Sequence, residues 1–448
     1  MKLQEFYDTG RFVQRPSRPG TRTPAHLAQL MRYLSGEANI AQPIRPQGTG
    51  TSNTDCNTSV TGTVLRTTRL NRIISIDTYN HTVTAEAGVT LGDLIAALAV
   101  KGLELIGNYD QTERTLGGAL AAPCIGAGIG HQASFLSSQL ISLKVITSRG
   151  RMMKISNSQQ HLLSAFRMSY GMLGIIYEAT LRVQQITTFS ASHRSLTVDE
   201  FAAVLERLAA GSIGLKFYLL PHKNHVYVDL RRYETTPGNS YRAPWKIKDW
   251  GESTVLPHVF KSLSRVLPIP SVRFQIIDKL SAATHGLLTT RLVNSGNNAC
   301  GRRRRKSPGN LLYSTWCFPA VDFSIVIKAY TRFCQEIFER TGYRCDMPAT
   351  GFRVGRDRSA LLSPSFDETL IALQTISTQS RGWEDFAIDL ADFAENWGGI
   401  PLFSQSLALR DGYASQIYTS RLEFFRKIRR QMDPENRLLN PYLARNFE

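Results

Sequence analysis

The chain has 448 residues, 42% of them hydrophobic and 20% charged, with 53 Lys and Arg against 36 Asp and Glu. That length and apolar share exclude a disordered or fibrous protein and leave room for two or three domains, each with its own core. The net charge of +17 admits nucleic acid, an anionic membrane surface or an anionic small molecule as partner, and its sign does not choose among them.

The most hydrophobic stretch, LGDLIAALAVKGLELIG, is interrupted by Asp93, Lys101 and Glu104, so it is not a bilayer span. The opening residues MKLQEFYDTGRFVQRPSRPG lack the apolar centre of a secretion signal. A cytoplasmic protein is the default expectation. Cys56, Cys124, Cys300, Cys317, Cys334 and Cys345 form no CxxC pair and no framework spacing; reduced thiols are expected, with no metal site and no disulfide scaffold.

Residues 43–183 alternate short strands, a few helices and turns rich in Gly, Thr and Asn, an α+β or α/β pattern. The first turn with chemical content is PQGTGTSNTD, Pro46 to Asp55. Its glycines and small hydroxyl residues let backbone N–H groups come close to a phosphate; an ordinary polar turn is the other reading. From Val83 to Val89 apolar and polar residues alternate as in a half-buried strand. Thr90 with Asp93 then opens a helix that carries Leu91, Leu94, Ile95 and Leu98 on one face and stops near Gly102, before LELIG returns as a strand.

RTLGGALAAPCIGAGIGHQASF, Arg114 to Phe135, holds five glycines and no acid. It is too poor in charge for a solvated loop. Between Arg114 and Tyr177 there is no Asp or Glu at all, although Arg114, Lys144, Arg149, Arg151, Lys154 and Arg167 lie there; an anionic ligand is the simplest reason. GAGIG is not a dinucleotide fingerprint, because the acid expected about 20 residues later is missing. LISLKVITSRGRMMKI predicts a hairpin turning at Ser148 to Gly150.

From about residue 190 to 350 longer amphipathic segments such as FAAVLERLAA alternate with strands such as KFYLLP and HVYVDLRRY, which marks a second domain. LPHVFKSLSRVLPIPSVRFQIIDKL mixes cations with Leu, Val and Phe, as a peripheral contact with an anionic membrane would. Pro268 and Pro270 are expected to break any long helix there. GRRRRKSPGN places five consecutive cations, Arg302 to Lys306, in an extended solvated loop. Most of the positive charge lies outside that loop, so nucleic acid draws little support. The final helix puts Leu422, Phe425, Ile428 and Met432 on one face and ends at Asp433-Pro434, after which DPENRLLNPYL leads back to the body.

Over residues 30–185, PQGTGTSNTD, TLGGALAAPCIG and SYGMLGIIYEATLRV stand in the order and spacing that resemble the vanillyl-alcohol oxidase and p-cresol methylhydroxylase flavoproteins. FRVGRDRSALLSPSF, WGGIPLFSQ and DPENRLLNPYL more loosely resemble the aldonolactone oxidoreductases and decaprenylphosphoryl-ribose oxidases. The resemblance implies an α+β fold: a two-subdomain FAD-binding domain over residues 1–185, a substrate or cap domain over 186–400, and a C-terminal segment, 401–448, returning to the first. It implies that Gly48, Thr49, Gly50, Thr51, Ser52 and Asn53 hold the FAD pyrophosphate. The loop from Thr115 through Gly117, Gly118, Cys124 and Gly126 to His131 would run beside the isoalloxazine, and Gly171 to Ile176, with Gly174, Ile175 and Ile176, would approach the adenine. Asn440, with Tyr442 beside it and Tyr313, would join the pocket.

Departures from the family pattern sharpen the expectations. Thr51 stands where covalent members often carry His, so FAD is expected to be held non-covalently. The sugar-lactone enzymes usually read HWxK where this chain reads LFSQ, placing Leu402 at the His and Gln405 at the Lys. Gln405 can orient a substrate hydroxyl but takes no proton at neutral pH. Ile125 replaces a common His and Cys124 a small residue, and a bulkier group there hinders oxygen, which favours a dehydrogenase. His131 is the nearest retained imidazole and a candidate base. Arg353 or Arg356, which alternate along a strand, would stabilise reduced flavin; a surface salt bridge with Asp357 is the other reading. The function expected is an FAD-dependent oxidoreductase that moves a hydride to flavin N5 from an alcohol, sugar or sugar-lactone substrate. No motif specifies the electron acceptor. The alternative is a basic protein binding nucleic acid or anionic membrane, with a vestigial flavin domain.

Overall fold

The computed structural model describes residues 20–107, 109, 111–126, 134–211, 213–233, 259–260, 262–263, 270–286, 292–295, 311–379 and 381–448. The architecture is α+β, and the described residues form three sheets. In chain order the strands are β1 (Gly20–Arg22), β2 (Ile44–Gln47), β3 (Thr63–Arg66), β4 (Ile73–Asp77), β5 (Thr82–Glu86), β6 (Leu103–Leu105), β7 (Leu140–Ile146), β8 (Met152–Ser156), β9 (Ile175–Gln185), β10 (Thr188–Thr197), β11 (Gly214–Leu220), β12 (His225–Tyr233), β13 (Leu292–Ser295), β14 (Leu312–Pro319), β15 (Ala349–Val354), β16 (Leu370–Ser377) and β17 (Ile400–Pro401).

A small parallel sheet has the order β1-β3-β2, and a second sheet the order β4-β5-β9-β7-β8, with β6 also on β9. Between and beside these lie the turns that build the site. The third sheet has eight strands in the order β13-β10-β12-β11-β15-β16-β14-β17, antiparallel throughout. No helix of the described residues is long and apolar enough to cross a membrane.

Local sequence signals account for several elements. Thr90 caps helix Leu91–Val100 by accepting from the Asp93 N–H, and Leu91, Leu94, Ile95 and Leu98 are its buried residues, the face that the spacing predicts. The β7–β8 hairpin turns where expected. Thr197 and Glu200 form a full capping box on helix Val198–Ala210.

One expectation is met and one needs correction. Pro270 starts a helix, Pro270–Gly286: a proline at the first helical position gives up an N–H that has no partner there anyway. Residues 264–269, Pro268 among them, and the Arg302–Lys306 run lie outside the described residues. The helix ending before Asp433 is not the last. Leu422, Phe425 and Ile428 are buried in Tyr413–Met432 as predicted, but Pro441–Phe447 forms a further helix.

Glu104 in β6 is nearly enclosed, accepting from Gln184 Nε2 at 2.8 Å and from the Thr187 N–H at 3.2 Å. Burial outweighs those donors and pushes its carboxyl up to about 6. A raised folded-state value means that its stability contribution is complete below the unfolded value near 4.5 and is lost as the pH rises through about 6. The difference amounts to about 2 kcal/mol. Glu104→Gln is therefore expected to match the parent in thermal melts at low pH and to exceed it by a few degrees at neutral pH; parallel pH profiles for the two proteins would refute the assignment.

Candidate active site

Three glycine-bearing turns meet at one open cleft. The first leaves the end of β2. Gly50 sits at φ +76°, a region open to glycine. A Cβ on Gly48 would lie 2.0 Å from Thr115 Oγ1 and 3.0 Å from Thr115 Cβ, so the first and second turns touch only because that position has no side chain.

The first turn is tied down on its outer side. Thr49 Oγ1 donates to the Glu113 carbonyl at 2.8 Å, and the Tyr313 hydroxyl donates to the Thr51 carbonyl. Ser52 Oγ donates to Ser404 O at 2.7 Å, Thr54 Oγ1 to Phe403 O at 2.8 Å, and the Asn53 amide to Tyr313 O. Its inner side is left open: among the described residues nothing accepts from the N–H groups of Thr49, Gly50, Thr51 and Ser52. Successive free N–H groups in a turn form an anion-binding concavity.

In the second turn Thr115 caps helix Leu116–Ala121 by accepting from the Gly118 N–H. The Leu116 and Gly117 N–H groups bond Val89 O and Ala87 O, each at 2.8 Å. This turn therefore supplies a close apolar wall, not phosphate donors; a Cβ on Gly117 would lie 2.9 Å from Ala87 Cβ. The third turn places Gly171 and Gly174 at φ +73° and +154°, and its Tyr170 N–H bonds Ala121 O at 2.7 Å.

Of the residues predicted from the sequence, Gly48, Thr49, Gly50, Thr51, Ser52, Thr115, Gly117, Gly118, Gly174, Ile175 and Ile176 line the cleft together. Asn53, Cys124, Gly126 and Asn440 do not. Asn53 anchors the first turn from behind. Cys124 is 1% exposed, and burial raises its thiol above the ordinary value. Gly126 closes the second loop through its N–H to Ser134 O at 2.7 Å. Asn440 is a correction: its amide donates to Asp55 O at 2.7 Å and Thr58 O at 2.8 Å, and its Oδ1 accepts the Leu443 N–H. Both hydrogens are spent on backbone, so Asn440 is a helix cap and a loop clamp. His131 lies outside the described residues.

The sequence reading missed Arg114, Cys56, Tyr170 and Ser404 on the cleft wall. Arg114 had a signal, standing directly before TLGG; Ser404 had none. Tyr442 and Tyr313 flank the site with their hydroxyls on Phe403 O and Thr51 O, and burial pushes the Tyr313 phenol up to about 12, so it stays a neutral donor. The acid-free stretch also needs a different reason. Lys144 pairs with Glu178 and Arg149 with Glu435, and Arg167 bonds the Ser359 and Leu140 carbonyls, so these cations are matched by partners from elsewhere in the chain. Only Arg114 of the six reaches the cleft.

The cleft suits a dianionic diphosphate by the chemistry of its donors. Among the described residues no carboxylate lines it, and Arg114 does. At its wall Tyr170 Oη and Ser404 Oγ, and just behind it Asn53 Oδ1, are buried without a partner among the described residues. Buried polar atoms are rarely left so.

The eight-stranded sheet has two unlike faces, read from register because antiparallel partners share a face. On one, Phe217 meets Phe201 and Phe323 at 4.9 and 6.0 Å beneath helices Val198–Ala210 and Phe323–Thr341. Gly351 opposes Phe217, and Arg353 shares its side. This overturns the assignment of Arg353 to the flavin: its Nε donates to Ala209 O at 2.7 Å, on the helix-covered side. Nor does it pair with Asp357, which accepts from Ser138 Oγ and the Ser359 N–H. Arg356 is exposed.

The other face carries Thr315, Gln374 and Thr350 side by side. Gln405, in the turn after β17, joins them: Thr315 Oγ1 donates to its Oε1 at 2.9 Å, and Gln374 Nε2 lies 3.1 Å from Thr315 Oγ1 and 3.4 Å from Gln405 Oε1. Ser404, the residue before, lines the cleft. Further along the same face Lys216 Nζ stands 5.1 Å from the Tyr218 ring and 5.5 Å from the Phe352 ring, and Arg231 pairs with Asp229 at 3.1 Å. Leu402 is fully buried.

Known proteins resemble both halves of the chain. Residues 21–156 match the model described as FAD binding domain, and residues 179–446 the model described as D-arabinono-1,4-lactone oxidase. The L-gulono-1,4-lactone dehydrogenase of Mycobacterium tuberculosis is 30% identical over 202 residues, 44% of this chain and 45% of that one. The L-gulonolactone oxidase of Bos taurus is 28% identical over 223 residues, 48% and 49% of the two chains. The matched region thus spans about half the length of these curated relatives. Among solved structures, cholesterol oxidase from B. sterolicum superposes with a TM-score of 0.78 at 13% identity, covering 96% of this chain and 94% of that one. Xylooligosaccharide oxidase from Myceliophthora thermophila gives 0.67 at 12%, covering 100% and 96%. These two establish a shared fold.

Proposed function

This chain belongs to the D-arabinono-1,4-lactone oxidase family, and from that premise we propose that it is an FAD-linked oxidoreductase acting on the CH–OH group of a sugar lactone or a related sugar or alcohol. The observation that carries the reading is the cleft of free N–H groups with no carboxylate among the described residues of its lining. FAD, when bound, supplies the two-electron acceptor.

The chain's own residues divide the remaining work. The Thr49–Ser52 N–H groups and Arg114 hold the diphosphate, and the turns through Gly117 and Gly174 wall the cleft beside it. Thr51, Gly118, Ile175 and Ile176 complete the wall. Gln405 lies where the glycine cleft meets the polar sheet face and contacts the substrate oxygen. As a neutral amide it binds and orients without taking a proton.

Two measurements test this. Protein purified with FAD should show a flavin absorbance band that L-gulono-1,4-lactone or a related sugar bleaches without oxygen; a protein that takes up no flavin when FAD is supplied contradicts the proposal. We further propose non-covalent attachment, because Thr51 offers no imidazole and the Cys56 thiol is held above its ordinary value by burial. Acid precipitation should therefore release essentially all the flavin to the supernatant, and a yellow pellet would refute this.

A further inference from the structure

Gln405 is 7% exposed, yet only one end of its amide is occupied. Its Oε1 receives the Thr315 hydroxyl at 2.9 Å and faces Gln374 Nε2 at 3.4 Å. Thr315 Oγ1 itself accepts from Gln374 Nε2 at 3.1 Å, so its single proton is spent on Gln405. Two strands and a turn supply this chain of bonds: Gln374 sits on β16, Thr315 on β14, and Gln405 in the turn after β17. No described residue accepts from Gln405 Nε2, and that atom is not sealed from solvent.

We propose that Thr315 and Gln374 are positioning residues which turn the Gln405 amide so that its Nε2–H, not its carbonyl, is offered to the substrate. The inference rests on the oxidoreductase reading above. It deepens that reading by naming what the site recognises: an oxygen acceptor, the hydroxyl or carbonyl oxygen at the carbon being oxidised. With Gln374 donating as it does to Thr315 Oγ1, a rotated amide would set Gln405 NH₂ against Gln374 NH₂, donor against donor. As the hydroxyl proton passes to solvent water and the hydride to the flavin, a fixed donor gains strength with the negative charge on the substrate oxygen, whereas a freely turning amide loses it half the time. Gln405 neither gives nor takes a proton.

The orientation can be read without turnover. With nitrogen-15 in glutamine side chains and Gln405→Ala to assign the signal, the Gln405 NH₂ of the parent should exchange with solvent as a free primary amide. Its shift should move in Thr315→Val and in Gln374→Leu and return in Thr315→Ser. With L-gulono-1,4-lactone as the probe, Thr315→Val is expected to lower kcat and kcat/KM together by about tenfold with KM little changed. Thr315→Ser restores both, and the flavin content stays that of the parent. An NH₂ protected in the parent, or an unchanged kcat in Thr315→Val, overturns the proposal. Failure of the lactone to bleach the parent flavin counts instead against the oxidoreductase reading, and the amide exchange then decides the orientation by itself.

Discussion

Gly48→Ala is expected to give a folded protein that purifies without flavin and binds added FAD at least about 100-fold more weakly than the parent. The added methyl would stand 2.0 Å from Thr115 Oγ1, 2.9 Å from its Cγ2 and 3.0 Å from its Cβ. Rotating the threonine removes the first two clashes but not the third, and it also breaks the cap on the Gly118 N–H. The turns must therefore move apart. That displaces the Thr49–Ser52 N–H groups from the wall that the second turn forms, and a diphosphate held by those groups loses its close fit against it. Since Gly48 is at the edge of the core, the melting temperature of the unliganded protein should change little. Fluorescence titration with FAD checks the result, and the double variant Gly48→Ala/Thr115→Gly should recover much of the loss because it removes the atom in conflict. Parent-like FAD affinity in Gly48→Ala would mean that the two turns do not clasp a common ligand.

Arg45→Met is expected to destabilise the fold by about 4 kcal/mol or more, the cost of leaving buried carbonyls without donors. Arg45 is fully buried. Its Nε and Nη2 bond Cys56 O at 3.0 and 2.7 Å, Nη1 bonds Gly171 O at 3.3 Å, and further bonds reach Tyr170 O and Leu438 O. One guanidinium thus joins the first turn, the third turn and the C-terminal tail. Burial pulls its value down to about 10, which still leaves it charged at neutral pH. Methionine fills most of the volume and supplies none of the donors. Arg45→Lys keeps the charge but not the planar fork, and should fall between the two. Denaturant midpoints measure the series; a loss below about 1 kcal/mol for Arg45→Met would show that water replaces the guanidinium there.

What the sequence carried on its own was local chemistry. The positive φ of Gly50 and the bare Cα of Gly48 are written in GTG, the Thr90 cap in TLGD, and the two faces of β11 in the alternation of Lys216, Phe217, Tyr218 and Leu219. Each depends on residues a few positions apart, where backbone sterics and side-chain period act directly. The resemblance to flavoproteins rests on such turns, and so eleven residues of the cleft's lining were legible in the sequence.

Tertiary structure alone decided what meets across long stretches of chain. Ser404 closes the first turn from 352 positions away, and Thr315 reaches Gln405 across 90; neither Ser nor Thr in a strand or turn announces such a partner. Arg353 was misassigned because a strand pattern tells which residues share a face but not which face a helix will cover. Asn440 was misassigned because an asparagine before proline caps a helix or contacts a ligand with the same atoms. Which of these happens is set by what the fold brings within 3 Å, a long-range packing outcome that leaves no periodic mark on the sequence.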